Sequence, residues 1–110
     1  MSDSVRIPFD TLVSRLAAIL EANGCAPWVA QVIALNCASA QRDGAHSHGV
    51  FRMKGYVSTL NAGGWVDGRA EPLLEDVAPG FLRVDGMNGF TICALARARD
   101  VALAKAKANG

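Results

Sequence analysis

Apolar residues recur at helical spacing three times in the first sixty or so positions. Across residues 9–23, Leu12, Val13, Leu16, Ile19 and Leu20 fall on one face and Arg15, Glu21 and Asn23 elsewhere. That is the pattern of an amphipathic helix, with Pro8 or Asp10 at its start and Gly24 as its stop. Residues 27–42 predict a second helix. Pro27 suits a first turn, where a missing N–H costs nothing, and Val29, Val32, Ile33, Asn36, Cys37 and Ala40 share a face before Gly44 ends it. The short Gly24-Cys25-Ala26 link makes the two an antiparallel or crossed pair. Residues 47–61 predict a third helix, with Ser47 as N-cap, Val50, Met53, Val57 and Leu60 as its stripe, and Gly63-Gly64 as its end.

The pattern then changes. Pro72 to Val77 and Phe81 to Val84 have strand composition, and Ala78-Pro79-Gly80 between them is turn chemistry. They predict a β-hairpin or two edge strands. Residues 91–108 return to a helix, with Ile92, Leu95, Ala96, Arg99, Ala102 and Leu103 on one side and Arg97, Asp100, Lys105 and Lys107 in solvent. Two strands are too few for an independent sheet, and a glycine-ended helix in an α/β order normally leads into another strand. The chain therefore reads as the start of a larger α/β fold. Residues 1–64 form its N-terminal helical segment and 65–110 the beginning of an α/β domain.

Composition narrows the function. Eleven Lys and Arg against ten Asp and Glu leave a net charge of +1 with no basic run, which argues against nucleic-acid or anionic-membrane partners. Met1-Ser2-Asp3-Ser4-Val5-Arg6 lacks the layout of a secretory leader, and no apolar stretch approaches the ~20 residues of a membrane span. A cytoplasmic protein is expected. Cys25, Cys37 and Cys93 are odd in number and widely spaced, so buried free thiols fit them better than disulfides or a structural zinc.

Both histidines lie in Asp43-Gly44-Ala45-His46-Ser47-His48-Gly49-Val50-Phe51-Arg52. If a helix starts near Ser47, His48 sits in its first turn and Arg52 one turn on, over the same face. Free N–H groups at that helix start and the planar fork of Arg52 would hold a small carboxylate. An imidazole beside it could exchange a proton with the adjacent reacting atom, and the Ser47 hydroxyl could orient that ring. On spacing alone the same residues also read as a cap, a polar first-turn residue and a solvated charge. Two further readings are weaker. Asp43, His46 and His48 lack another strong ligand at metal-site spacing, and Ala45-His46-Ser47-His48-Gly49 lacks the first glycine of a nucleophile elbow. No dinucleotide fingerprint or Walker A motif occurs, and Gly86-Met87-Asn88-Gly89 reads as a turn ahead of a helix.

The run Asn36 to Arg52, carrying Ser47-His48-Gly49 and then Arg52, resembles the malate/L-lactate dehydrogenase type-2 family, which is unrelated in fold to the Rossmann lactate dehydrogenases. Asn23-Gly24, Gly63-Gly64-Trp65 and Val84 to Phe90 agree, so the resemblance runs from about Val5 to Gly110. Asn36 to Gly44 and Gly64-Trp65-Val66-Asp67-Gly68 are most similar to its Δ1-piperideine-2-carboxylate/Δ1-pyrroline-2-carboxylate reductase subgroup. The resemblance implies a homodimeric oxidoreductase using NADP(H), or NAD(H), with no metal. It implies His48 as proton donor to a cyclic imine, Ser47 as the serine of a Ser-His-Asp relay and Arg52 as the partner of the substrate carboxylate. A 2-hydroxy-acid dehydrogenase of the same family is the alternative activity. Family members are much longer, and their relay aspartate and most cofactor contacts fall beyond Gly110, so the 110-residue chain alone is expected to be inactive. The rival from another class is a small helical module without chemistry, or a vestigial gene product.

Overall fold

Two glycines close the first two helices in the same way. The computed structural model describes residues 4–110; Met1-Ser2-Asp3, part of the stretch read for a leader, lies outside the described residues. Helix α1 spans Phe9–Ala22 and α2 spans Pro27–Arg42. After α1, the Gly24 amide bonds the Glu21 carbonyl and the Cys25 amide bonds Leu20; after α2, Gly44 and Ala45 do the same with Gln41 and Ala40. Each is a Schellman stop, which needs a left-handed residue, and Gly24 and Gly44 supply it at φ 107° and 86°.

These tight stops fold α2 back along α1, and the core forms between them. Val13, Leu16, Ala17 and Leu20 of α1 meet Val29, Ala30, Ile33, Ala34, Cys37 and Ala38 of α2. The inward face of α2 is thus rotated from the expected one. Ala30, Ala34 and Ala38 are inside, while Asn36 is exposed and Val32 only half-buried. The small Ala30–Ala34–Ala38 row is buried beside Val29 and Ile33, while Leu35 and Asn36 are left outside.

Residues 46–61 depart from the expected single helix. His46–His48 and Val50–Arg52 are separate 3₁₀ turns, and α3 covers only Met53–Asn61. Gly49, at φ −93° and ψ −139°, breaks the run between them. Ser47 makes no capping hydrogen bond, because it lies inside the first turn rather than ahead of a helix.

The predicted strands form one antiparallel hairpin, β1 (Leu73–Ala78) with β2 (Phe81–Asp85), in the register Leu73 opposite Asp85 and irregular near Ala78. A turn follows in which Met87 and Asn88 both have positive φ, 53° and 62°. The Gly89 amide bonds the Gly86 carbonyl across it at 2.9 Å, which is the type I′ pattern. Helix α4 (Thr91–Asn109) then packs on α2 and β2 through Cys93 and Ala98. Its guanidinium Arg97 stacks 4.2 Å from the Trp28 ring and pairs with Glu71 at 2.9 Å. The stripe expected to face inward instead looks outward beyond Ile92, with Leu95 66% exposed. Leu95 and Ile92, with Val32 and Leu35 of α2, line an open groove of about 470 Å³. Among the described residues no helix is long and apolar enough to cross a membrane.

Gly68 joins these parts. Its carbonyl accepts the Ala26 amide at 2.9 Å, and a Cβ there would stand 2.8 Å from the Gly24 carbonyl and 2.9 Å from Leu60. Only glycine fits where the loop crosses the α1–α2 link.

Candidate active site

The loop after α2 gathers the three residues singled out in the sequence, by a different geometry from the one expected. The Ser47 Oγ lies 2.9 Å from His48 Nδ1. The Arg52 Nε donates to the Ser47 carbonyl at 2.8 Å. Arg52 is therefore brought to Ser47 by a side chain folding back over two short turns, rather than by stacking one turn above His48 on an α-helix. The free amides of a helix start are not at Ser47 either, since α3 begins at Met53 and the His48 and Gly49 amides are spent on Ala45 and His46.

This arrangement leaves useful groups unspent. Among the described residues His48 Nε2 has no hydrogen-bond partner, and Arg52 has no carboxylate partner. Ser47, His48 and Arg52 are all exposed. The Arg52 charge reaches inward as well. Burial raises the Cys37 thiol and the Tyr56 phenol, and Arg52 offsets part of both. A hydroxyl on Nδ1 fixes the ring's orientation and leaves Nε2 to meet a ligand. In hydrolytic Ser-His-Asp triads the nucleophilic serine sits on Nε2 instead and Nδ1 faces the aspartate. Ser47 thus occupies the orienting side of the imidazole.

The other candidates resolve differently. Asp43 is turned to Arg42, with Arg42 Nε 2.9 Å from its carboxylate. Among the described residues no three His, Cys, Asp or Glu side chains converge as a metal site would need. The glycine-rich turn Gly86–Gly89 spends its groups internally and on its neighbour: the Met87 amide donates to Asp85, and the Asn88 carbonyl accepts the Asp67 amide.

Nothing in the periodicity marks Gln41 beyond its place at the exit of α2. Its Oε1 accepts the Val50 amide at 3.1 Å. It lines a shallow hollow of about 450 Å³ with His46, Ser47, Val50 and Phe51. It also borders a larger apolar groove of about 520 Å³ whose walls include Ile7, Phe9 and Leu12. Periodicity marks faces, and Gln41 works at the end of a helix where the face rule has no force.

Comparison with known proteins bears on the family and the fold. The family model described as malate/L-lactate dehydrogenase matches residues 7–110. The chain is 61% identical over 109 residues to a Δ1-pyrroline-2-carboxylate/Δ1-piperideine-2-carboxylate reductase of Pseudomonas putida, covering 99% of this chain and 32% of that protein. It is 36% identical over 94 residues to a (2R)-3-sulfolactate dehydrogenase (NADP(+)) of Chromohalobacter salexigens, covering 84% of this chain and 27% of that one. The crystal structure of the Δ1-piperideine-2-carboxylate reductase of Pseudomonas syringae pv. tomato superposes with a TM-score of 0.93 at 50% identity, over 97% of this chain and 32% of that one. The chain thus spans about a third of the length of the curated relatives it matches. Its hairpin-and-helix architecture is a portion of their α/β fold, and the chain belongs to the malate/L-lactate dehydrogenase family.

Proposed function

We propose that this chain is the substrate-side segment of a reductase of small cyclic imino acids, Δ1-piperideine-2-carboxylate or Δ1-pyrroline-2-carboxylate, with NADP(H) or NAD(H) as reductant. The observation that carries the reading is the Ser47–His48 pair with Arg52 folded onto it, imidazole Nε2 and the guanidinium terminus both unspent. Reduction of a C=N bond needs a hydride at carbon and a proton at nitrogen. A nicotinamide cofactor, when bound, would supply the hydride. Protonated His48 gives the nitrogen its proton from Nε2, and the ring is reprotonated from water after the cyclic amino acid leaves. The Ser47 hydroxyl accepts from Nδ1–H before and after the transfer, because the proton that leaves and returns is the one on Nε2. Arg52 already uses Nε on the Ser47 carbonyl, so its terminal nitrogens are the ones presented to the carboxylate.

The reading carries the rest of the assignment with it. Residues 1–64 bring the acid and the carboxylate clamp, and residues 65–110 begin the α/β domain. The working enzyme is a cytoplasmic homodimer, and the 110-residue chain, about a third of the length of its relatives, by itself turns nothing over. Similarity to a sulfolactate dehydrogenase favours one second reading, a 2-hydroxy-acid dehydrogenase using the same clamp with His48 as acid and base.

The test is cofactor oxidation with each imine by the full-length polypeptide carrying this segment. In His48→Ala, kcat should fall about 10²- to 10⁴-fold, the usual contribution of a positioned acid. Arg52→Ala should raise KM. Unchanged kinetics in both would leave the three residues as solvated groups with no part in the reaction, and turnover by the 110-residue chain would refute its inactivity.

A further inference from the structure

We infer that Gln41 is a positioning residue that sets where the Ser47–His48–Arg52 loop stands on the end of α2. The inference rests on the proposed role of His48 as proton donor.

Five hydrogen bonds shape the loop from within: the His48 amide to Ala45, the Gly49 amide to His46, the Arg52 amide to Gly49, Arg52 Nε to the Ser47 carbonyl, and the Ser47 hydroxyl with His48 Nδ1. They fix its form but not its place. At its near end the loop is anchored by the Ala45 amide on Ala40. At its far end the anchor is Gln41. Val50 opens the second 3₁₀ turn, so its N–H has no partner inside that turn. The Gln41 Oε1 takes it at 3.1 Å, across nine residues.

Gly49 is built for this contact. It is buried, while His46, Ser47 and His48 before it are exposed. A Cβ on Gly49 would lie 2.4 Å from Gln41 Oε1, 3.0 Å from its Cα and 3.1 Å from its Cβ. Its φ of −93° makes no demand for glycine; the space does. The Gln41 side chain fills the volume that a side chain at residue 49 would occupy, and from there it reaches the next amide. Glycine and glutamine are two halves of one contact between the loop and α2.

Pinning Gly49 and Val50 pins the backbone adjoining His48. Arg52 moves with it, because Arg52 is bonded to Ser47. Gln41 touches no reacting atom in this scheme. It governs the distance of the imidazole from whatever α1, α2 and the rest of the fold hold in place, and a 1 Å error in such a distance can cost about a hundredfold in rate.

The experiment uses the full-length polypeptide, with Gln41→Leu to remove the acceptor at similar size and Gln41→Glu to keep an oxygen acceptor. Amide exchange at Val50, steady-state kinetics and ¹⁵N signals of the His48 ring are read for each. In Gln41→Leu the Val50 amide should exchange about tenfold faster or more. The kcat should fall about ten- to a hundredfold with KM within about threefold, and the His48 signals should broaden or shift. Gln41→Glu should restore all three. If Gln41→Leu does not fold, Gln41→Asn, one methylene too short, carries the same expectations. Unchanged Val50 exchange, or a lowered Tm with kcat and the His48 signals intact, would overturn the inference. A silent His48→Ala would instead sink the catalytic reading, and the exchange and ring signals would still judge Gln41.

Discussion

Among the described residues His48 keeps one ring nitrogen on Ser47 and the other free. Spacing alone also allowed a cap and solvated neighbours here, and it was the resemblance of Ser47-His48-Gly49 and Arg52 to a family motif that singled these residues out. Their mutual geometry was not legible. It depends on Gly49 leaving the helical region, and a glycine in sequence says only that unusual backbone or close approach is allowed. The cysteines were legible as buried thiols, and all three are free and buried. Burial first, and Cys25 second, push the Cys93 thiol up to about 11. A thiol that holds its proton more tightly when folded stabilises the fold fully below the unfolded value of 9.0. That stability is lost as pH rises from there through about 11. Urea midpoints should therefore fall more steeply above pH 9.0 in the wild-type chain than in Cys93→Ala; equal slopes would contradict the shift.

Element identities followed from periodicity, and element faces did not. The expected stripe of α4 is mostly outside because α4 docks through Cys93, Ala98 and the Arg97–Trp28 stack. Leu95→Ser should accordingly change stability by less than about 0.5 kcal/mol, as surface substitutions do. A loss of several times that in chemical denaturation would restore the original face. The turn between β2 and α4 holds a methionine at φ 53°, a conformation that costs an ordinary L-residue about 1–2 kcal/mol and that asparagine tolerates. Met87→Asn should raise the unfolding free energy by up to about 1 kcal/mol, since the Met87 amide on Asp85 is a backbone bond and survives. Thermal melts of the two chains decide it.

The molecule as a whole is elongated, 56 × 33 × 20 Å, with a radius of gyration of 16.0 Å against about 13 Å for a compact chain of this length. The helical pair holds the main core, and the hairpin is attached at a distance. A lone two-stranded hairpin is marginal in water, and all of β1 is exposed. Its hold on α4 is local. Lys105 Nζ bonds the Asp76 carboxylate and the Ala78 carbonyl, and Asn109 bonds the Pro79 carbonyl at 2.8 Å. Lys105→Ala should speed amide exchange across residues 73–85 while leaving α1 and α2 protected. Uniform loss of protection would mean that hairpin and helical pair unfold as one unit.

The sequence by itself determined the order of helices and strands, the glycine stops, the free cysteines, the family and the three residues of the candidate site. These are encoded in local periodicity, turn chemistry and a short motif, each confined to a few neighbouring positions. Only the tertiary structure decided which face of α2 and α4 turns inward, where α3 begins, and that Gln41 meets Gly49 and Val50. Those outcomes depend on how closely alanine rows and glycines let distant segments approach, and spacing along one segment carries no record of the partner that fills the gap.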